Sequence, residues 1–157
     1  MKFSNDIELI INKFDEIDNK NFININAYEL THENWRNIIN FLNATHKITF
    51  KEYLTDFTSN EIKFELICDF WKKKTENGYM SIIHFEDFDI NCYFNTLEIL
   101  DFDAQYKDAT DLEKLSQIIF FSQSLSKVLN KKVYLEEECY GYENKLVEIE
   151  ENQINIL

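Results

Sequence analysis

The residues of this chain best suited to chemistry are carboxylates. Asp87-Phe88-Asp89 and Asp101-Phe102-Asp103 form two Asp-Phe-Asp triplets, and Glu136-Glu137-Glu138 follows the apolar run Val133-Tyr134-Leu135. On an extended chain residues i and i+2 share a face, so each Asp pair points one way and its Phe the other. Such clusters have four uses. Two converging pairs can hold Mg²⁺ or Ca²⁺ through hard oxygen ligands, and two carboxylates can form a glycosidase-type acid/base couple. They can repel one another until a basic partner docks, or they can simply keep sheet edges in solvent. The third use is the expectation adopted here. Tyr140 and Tyr142 lie on a predicted turn beside the Glu triplet, where they either close the edge of the core or serve as interface anchors, which favour large, rigid side chains with a polar tip. The expected binding residues are therefore Asp87, Asp89, Asp101, Asp103, Glu136, Glu137, Glu138, Tyr140 and Tyr142.

Other chemistries find no support in residue spacing. His32, His46 and His84 fall in separate elements without a second His or Cys at ligand spacing, whereas zinc needs three or four converging ligands. Cys68 and His84 are expected on opposite faces of a hairpin, so a Cys–His nucleophilic pair is not expected and Cys68 reads as a small buried hydrophobe. Two glycines cannot supply a nucleophile elbow, a P-loop or a dinucleotide fingerprint. The expectation is a binding protein with no catalytic residue, metal or cofactor.

Charge points the same way. Sixteen basic residues against twenty-nine acidic give a formal charge of −13, and Arg36 is the sole arginine. Such a surface repels nucleic acid and anionic membranes, and it attracts and orients a basic partner. The field is uneven: 13 acids and 10 bases precede residue 81, and 16 acids and 6 bases follow from it. Three cysteines (Cys68, Cys92, Cys139) without C-x-x-C spacing suit free thiols in a reducing compartment. The N-terminus lacks the apolar core of a signal peptide, and no window approaches ~18 consecutive apolar residues, so a cytoplasmic location is expected. Asn, Ile, Lys, Phe and Tyr make up 75 residues; their AT-rich codons suggest a low-GC bacterial or phage genome.

The length of 157 residues, with 45% hydrophobic and 15% aromatic residues, provides material for one folded domain over 1–157. Ile7, Ile10, Ile11, Phe14 and Ile17 form a helical stripe over Ser4–Ile17, with Ser4 or Asn5 as N-cap. Residues 22–26 alternate as a short strand. A helix capped by Thr31 presents Trp35, Ile38, Ile39 and Leu42 on one face. Ile48 and Phe50 alternate with lysines and Thr49, and Ile62, Phe64, Leu66, Cys68 and Phe70 form the longest period-two run. Asn77-Gly78 then predicts a type I′ hairpin setting Phe70 opposite Phe85, Trp71 opposite His84 and Cys68 opposite Asp87. A third strand is expected over Cys92–Phe102. Thr110 and Glu113 read as a capping box that opens a helix from Leu112 to Asn130, laid across one sheet face. Strands at Val133–Leu135 and Leu146–Ile149 follow. The predicted fold is α+β: an antiparallel meander with N-terminal helices and one long helix from the C-terminal half packed on the sheet.

In size, charge, composition and layout the chain resembles immunity proteins of the bacterial polymorphic-toxin and contact-dependent growth inhibition systems. The segment Leu115 to Glu138, a long apolar helix ending in Leu129-Asn130-Lys131-Lys132 and entering Val133-Tyr134-Leu135-Glu136-Glu137-Glu138, is similar to the helix-to-strand ends of such proteins. The resemblance covers the chain in outline. It implies tight one-to-one binding of a cognate toxin, often a basic nuclease, with its active site or a nearby surface blocked. Two alternatives remain: a DNA mimic inhibiting a defence protein, with carboxylates spaced like phosphates, and a small divalent-metal enzyme using the Asp clusters, which Mg²⁺ or Ca²⁺ would stabilise. The N-terminal helix could also mediate a homodimer.

Overall fold

Helical and extended periodicities alternate along the chain, and a computed structural model describes the result for residues 2–139 and 144–157, with side chains from residue 5 onward. The first half holds α1 (Lys2–Asp15), β1 (Phe22–Tyr28), α2 (His32–Thr45), β2 (Lys47–Glu52), β3 (Thr58–Ser59), α3 (Phe64–Trp71) and β4 (Tyr79–His84). The second half holds β5 (Asp89–Tyr93), β6 (Ile99–Gln105), α4 (Tyr106–Ala109), α5 (Leu112–Leu129), β7 (Val133–Glu137), β8 (Asn144–Glu150) and β9 (Gln153–Ile156). The fold is α+β, and the pairs β2/β3, β2/β4, β4/β5, β1/β7, β7/β8 and β8/β9 are all antiparallel. The chain divides into two compact units: a central one, residues 27–102, and a terminal one built from the chain before residue 27 and after residue 102.

In the central unit the strands lie in the order β3-β2-β4-β5-β6. Thr31 caps α2 as expected: its Oγ1 accepts from the Asn34 N–H (3.2 Å) and Asn34 Oδ1 accepts from the Thr31 N–H (3.0 Å). Trp35, Ile38, Ile39 and Leu42 are the buried face of this helix. The Trp35 ring meets Trp71 and Phe94 at 5.5 and 5.6 Å, and its Nε1–H donates to Leu97 O (2.6 Å). Both tryptophans thus bury ring area and still satisfy a donor, since Trp71 Nε1–H donates to Phe94 O (2.9 Å).

The period-two run is a helix, α3, and not a strand. Its residues fit both templates, which is the standing ambiguity of short apolar runs. The helix buries Ile67, which alternation would have placed on the polar side, and brings Phe64 and Trp71 into edge contact (6.3 Å). With α3 helical, the Asn77-Gly78 hairpin and the Phe70–Phe85, Trp71–His84 and Cys68–Asp87 pairings do not form. β4 instead pairs β2 (His84 opposite Lys47) and β5 (His84 opposite Asp89). Gly78 serves close approach: its carbonyl accepts from the Tyr53 N–H (3.0 Å), and a Cβ there would lie 3.1 Å from Tyr53 Cδ2. The expected third strand is two, β5 and β6, because exposed Asn95 and Thr96 interrupt it.

In the terminal unit the order is β1-β7-β8-β9. α1 begins at Lys2, ahead of Ser4 and Asn5, so neither is its cap; Ile7, Ile10, Phe14 and Ile17 are buried as the stripe requires. α5 lies against β7, β8 and α1 and buries Leu115, Ile118, Ile119, Phe121, Leu125 and Leu129. Each such side chain contributes about 1.5–3 kcal/mol. The N-cap of α5 is Asp111, whose Oδ1 accepts from the Lys114 N–H (3.0 Å); Thr110 instead donates to Tyr106 O (2.9 Å) at the end of α4. That one-residue shift makes Leu112 the first helical residue and leaves it exposed. At the far end Asn130 takes the left-handed conformation (φ 53°) of a helix terminator.

Candidate functional site

The β4–β5 hairpin closes through Phe85 N–H to Phe88 O (2.9 Å), with the two rings stacked at 4.6 Å. Phe88 is buried, so Glu86 and Asp87 sit exposed at the turn and Asp89 follows exposed at the start of β5. Asp89 is engaged: His84 Nδ1 lies 2.8 Å from its Oδ1, and His84 Nε2 lies 2.8 Å from Thr49 Oγ1. With Nδ1 protonated, the imidazole donates to Asp89 and accepts from Thr49, tying β2, β4 and β5 together. The order hydroxyl–imidazole–carboxylate is that of a nucleophilic triad. However, the Asp89 side chain is 54% exposed, whereas a triad carboxylate is buried behind its histidine. The network is a cross-strand tie.

The remaining carboxylates are less open. On β6, Asp101 is half-buried and Asp103 is buried. In the Glu triplet, Glu136 is 2% and Glu137 7% exposed. Glu136 Oε2 accepts from Asn26 Nδ2 (2.8 Å). Glu137 Oε2 accepts from the backbone N–H groups of Asp18 (3.1 Å) and Asn19 (3.0 Å), and its Oε1 from Asn144 Nδ2 (2.7 Å). The Asn19 backbone bond above all, helped by Asn144, Asp18 and Cys139 and opposed by burial, holds the Glu137 carboxyl below the usual range. Glu138 is half-buried, and its carbonyl accepts from Asn19 Nδ2 (3.0 Å). A register shift sets Leu135 opposite Val147 but Glu136 opposite Lys145, so Leu146 is an extra residue on β8. Glu136 and Glu137 therefore work as internal fasteners of the terminal unit, and their charges do not reach solvent as the strand-end pattern suggested. Tyr140 and Tyr142 lie outside the described residues.

Asp87, Asp89 and Asp101 belong to the central unit, and Asp103 and the three glutamates to the terminal one. Among the described residues, no three His, Cys, Asp or Glu side chains come together as a metal site.

One surface escaped the sequence reading. Between β2 and β3, Tyr53, Leu54 and Phe57 are all exposed, Leu54 by 73%. They follow Phe50 out of phase with the strand, and that loss of period was the available signal. The same unit holds a cavity of about 770 Å³ whose lining includes His32, Trp71, Lys72, Lys73, Glu76 and Glu98.

No known protein family, curated protein or solved structure matches the chain. Fold and surface together define a strongly acidic α+β protein, and no helix among the described residues is long and apolar enough to cross a membrane.

Proposed function

We propose that the chain is a binding protein that neutralises a cognate basic toxin, nuclease-like and acting in the cytoplasm, by forming a one-to-one complex. The observation that carries this reading is the net charge of −13, displayed at the β4–β5 turn by exposed Glu86, Asp87 and Asp89. Long-range attraction raises the association rate of a basic partner, while a few buried anchors set dissociation. Cys68, Cys92 and Cys139 form no disulfide, which suits a reducing compartment.

The test is affinity capture of the tagged chain from its native cells over a salt series, with mass spectrometry of the eluate and assay of what is captured. A single basic protein that resists moderate salt, and whose activity the chain blocks, is the expected result. A clean bait would refute the reading. Reversing Glu86 and Asp87 to Lys should slow association and flatten its salt dependence, whereas reversing Glu136 or Glu137 should unfold the terminal unit.

A further inference from the structure

We infer that the outward face of α5 is a contact for a second copy of this chain, the two helices running antiparallel with Phe120 against Phe120. The inference goes beyond the binding reading above and does not rest on it. At 3.6 residues per turn, seven residues make close to two turns, so Glu113, Phe120 and Lys127 lie on one line, about 10 Å apart along the helix axis. That line points away from the core. Glu113, Phe120 and Lys127 are exposed, Phe120 by 70%, while Leu115, Ile118, Ile119, Phe121, Leu125 and Leu129 turn inward. A large ring held in solvent on a helix fixed by its buried face is a ready anchor, since little of its freedom remains to be lost on contact.

The surroundings of Phe120 are uncharged. Leu115–Ser126 is the longest run of the chain without Asp, Glu, Lys or Arg, twelve residues in a sequence that is 29% charged. The outer face of a helix ordinarily carries charge, yet the positions flanking Phe120 are Ser116, Gln117, Gln123 and Ser124. Both serine hydroxyls donate to carbonyls one turn back, Ser116 to Leu112 O (3.0 Å) and Ser124 to Phe120 O (3.1 Å). They keep those partners when water leaves, so covering this face costs little polar desolvation.

The order of charges selects the occupant. Glu113 stands seven residues before Phe120 and Lys127 seven residues after it. In an antiparallel pair centred on Phe120, residues equally far before and after the centre lie at one level. Glu113 of each copy then meets Lys127 of the other, so the face is its own complement, as a two-fold contact requires. Lys127 also reaches Glu151 (3.6 Å), but both side chains are exposed, and such a pair is weak enough to let the lysine turn. The net charge of −13 opposes association at long range, yet salt screens exposed charges beyond about 8 Å, and the contact line itself is neutral. Two helix faces bury less than the ~1,200 Å² of a standard interface, so the dimer is a weak one that exchanges rapidly.

The experiment is sedimentation equilibrium of the full-length chain from about 10 µM to about 1 mM, the range in which a weak contact fills. Wild type should pass from monomer towards dimer across it. Phe120→Ala, which touches an exposed position, should weaken the dimer about tenfold. Glu113→Lys and Lys127→Glu should each be monomeric alone, because each sets like charges together at both ends of the contact. An equimolar mixture of the two should form a heterodimer, in which both ends are again oppositely charged. Circular dichroism of each variant separates lost pairing from lost folding. A wild-type chain that stays monomeric to the top of the range would overturn the second copy as occupant, and so would a dimer indifferent to Phe120→Ala. Folded charge variants that fail to associate when mixed, or that dimerise alone, would overturn the antiparallel pairing.

Discussion

Glu137 is the carboxylate on which the terminal unit depends most directly. It accepts three hydrogen bonds, two of them from backbone N–H groups of the connection between α1 and β1. Glu137→Ala removes all three. Hydrogen bonds to a charged group contribute about 1.5–3 kcal/mol each, but donors that can turn to water recover part of the loss. Asp18 is exposed and Asn19 half-buried, so a net cost of about 3 kcal/mol is expected, or a drop in Tm of about 6–12 °C for a chain of this length. Glu137→Gln keeps the shape and one acceptor and should lose about half as much. The pH dependence has a definite sign. The folded-state pKa is depressed, so the stabilisation is complete above the unfolded value of about 4.3 and is lost as pH falls through the folded value. Thermal melts of wild type, Glu137→Ala and Glu137→Gln at neutral pH and at about pH 3 give the answer, with the gap between wild type and Glu137→Gln closing in acid. A Glu137→Ala melt within about 2 °C of wild type at neutral pH, or a gap unchanged by acid, would refute the account of this residue.

Three further outcomes are expected. Because α3 is a helix with Ile67 inside and Cys68 partly exposed, Ile67→Ala should cost about 3 kcal/mol and Cys68→Ala under about 1 kcal/mol in urea unfolding; a strand would reverse the order. Burial first, then the bond its hydroxyl donates to Asp15 (2.9 Å), push the Tyr106 phenol up to about 12. Alkaline titration of tyrosinate absorbance should therefore show a late component that Tyr106→Phe removes. The stability from this phenol is complete below its unfolded value of about 10 and is lost as pH rises through the folded one. Lys73 holds a left-handed conformation (φ 60°) at the end of α3, where its N–H and that of Lys74 donate to Phe70 O and Asp69 O. Lys73→Gly should stabilise the protein by about 1 kcal/mol, read as a shift in denaturant midpoint.

Segments with one dominant period were legible. The stripes of α1, α2 and α5 and the alternation of β1 and β2 predict the buried residues, because a single face met a single core. Segments consistent with two periods were not, and α3 shows why: Phe64, Ile67, Cys68 and Trp71 satisfy the helical template while Phe64, Leu66, Cys68 and Phe70 satisfy the extended one, and only packing on Trp35 and its neighbours decides. The acidic surface divides in the same way. Exposure of Asp87 and Asp89 follows from a local turn around a buried Phe88. Enclosure of Glu137 depends on donors 118 and 119 residues away, which no local pattern encodes. The apolar loop Tyr53–Phe57 was visible only as a break in strand periodicity.

The central claim, that this acidic chain inhibits a basic partner by direct binding, is tested most directly by titrating the purified chain into the captured partner while following the partner's own activity at low and moderate salt. The account predicts linear loss of activity, complete at one equivalent, with association slowing by about tenfold or more as salt screens the charges. Full activity at excess chain, or an association rate indifferent to salt, would contradict it.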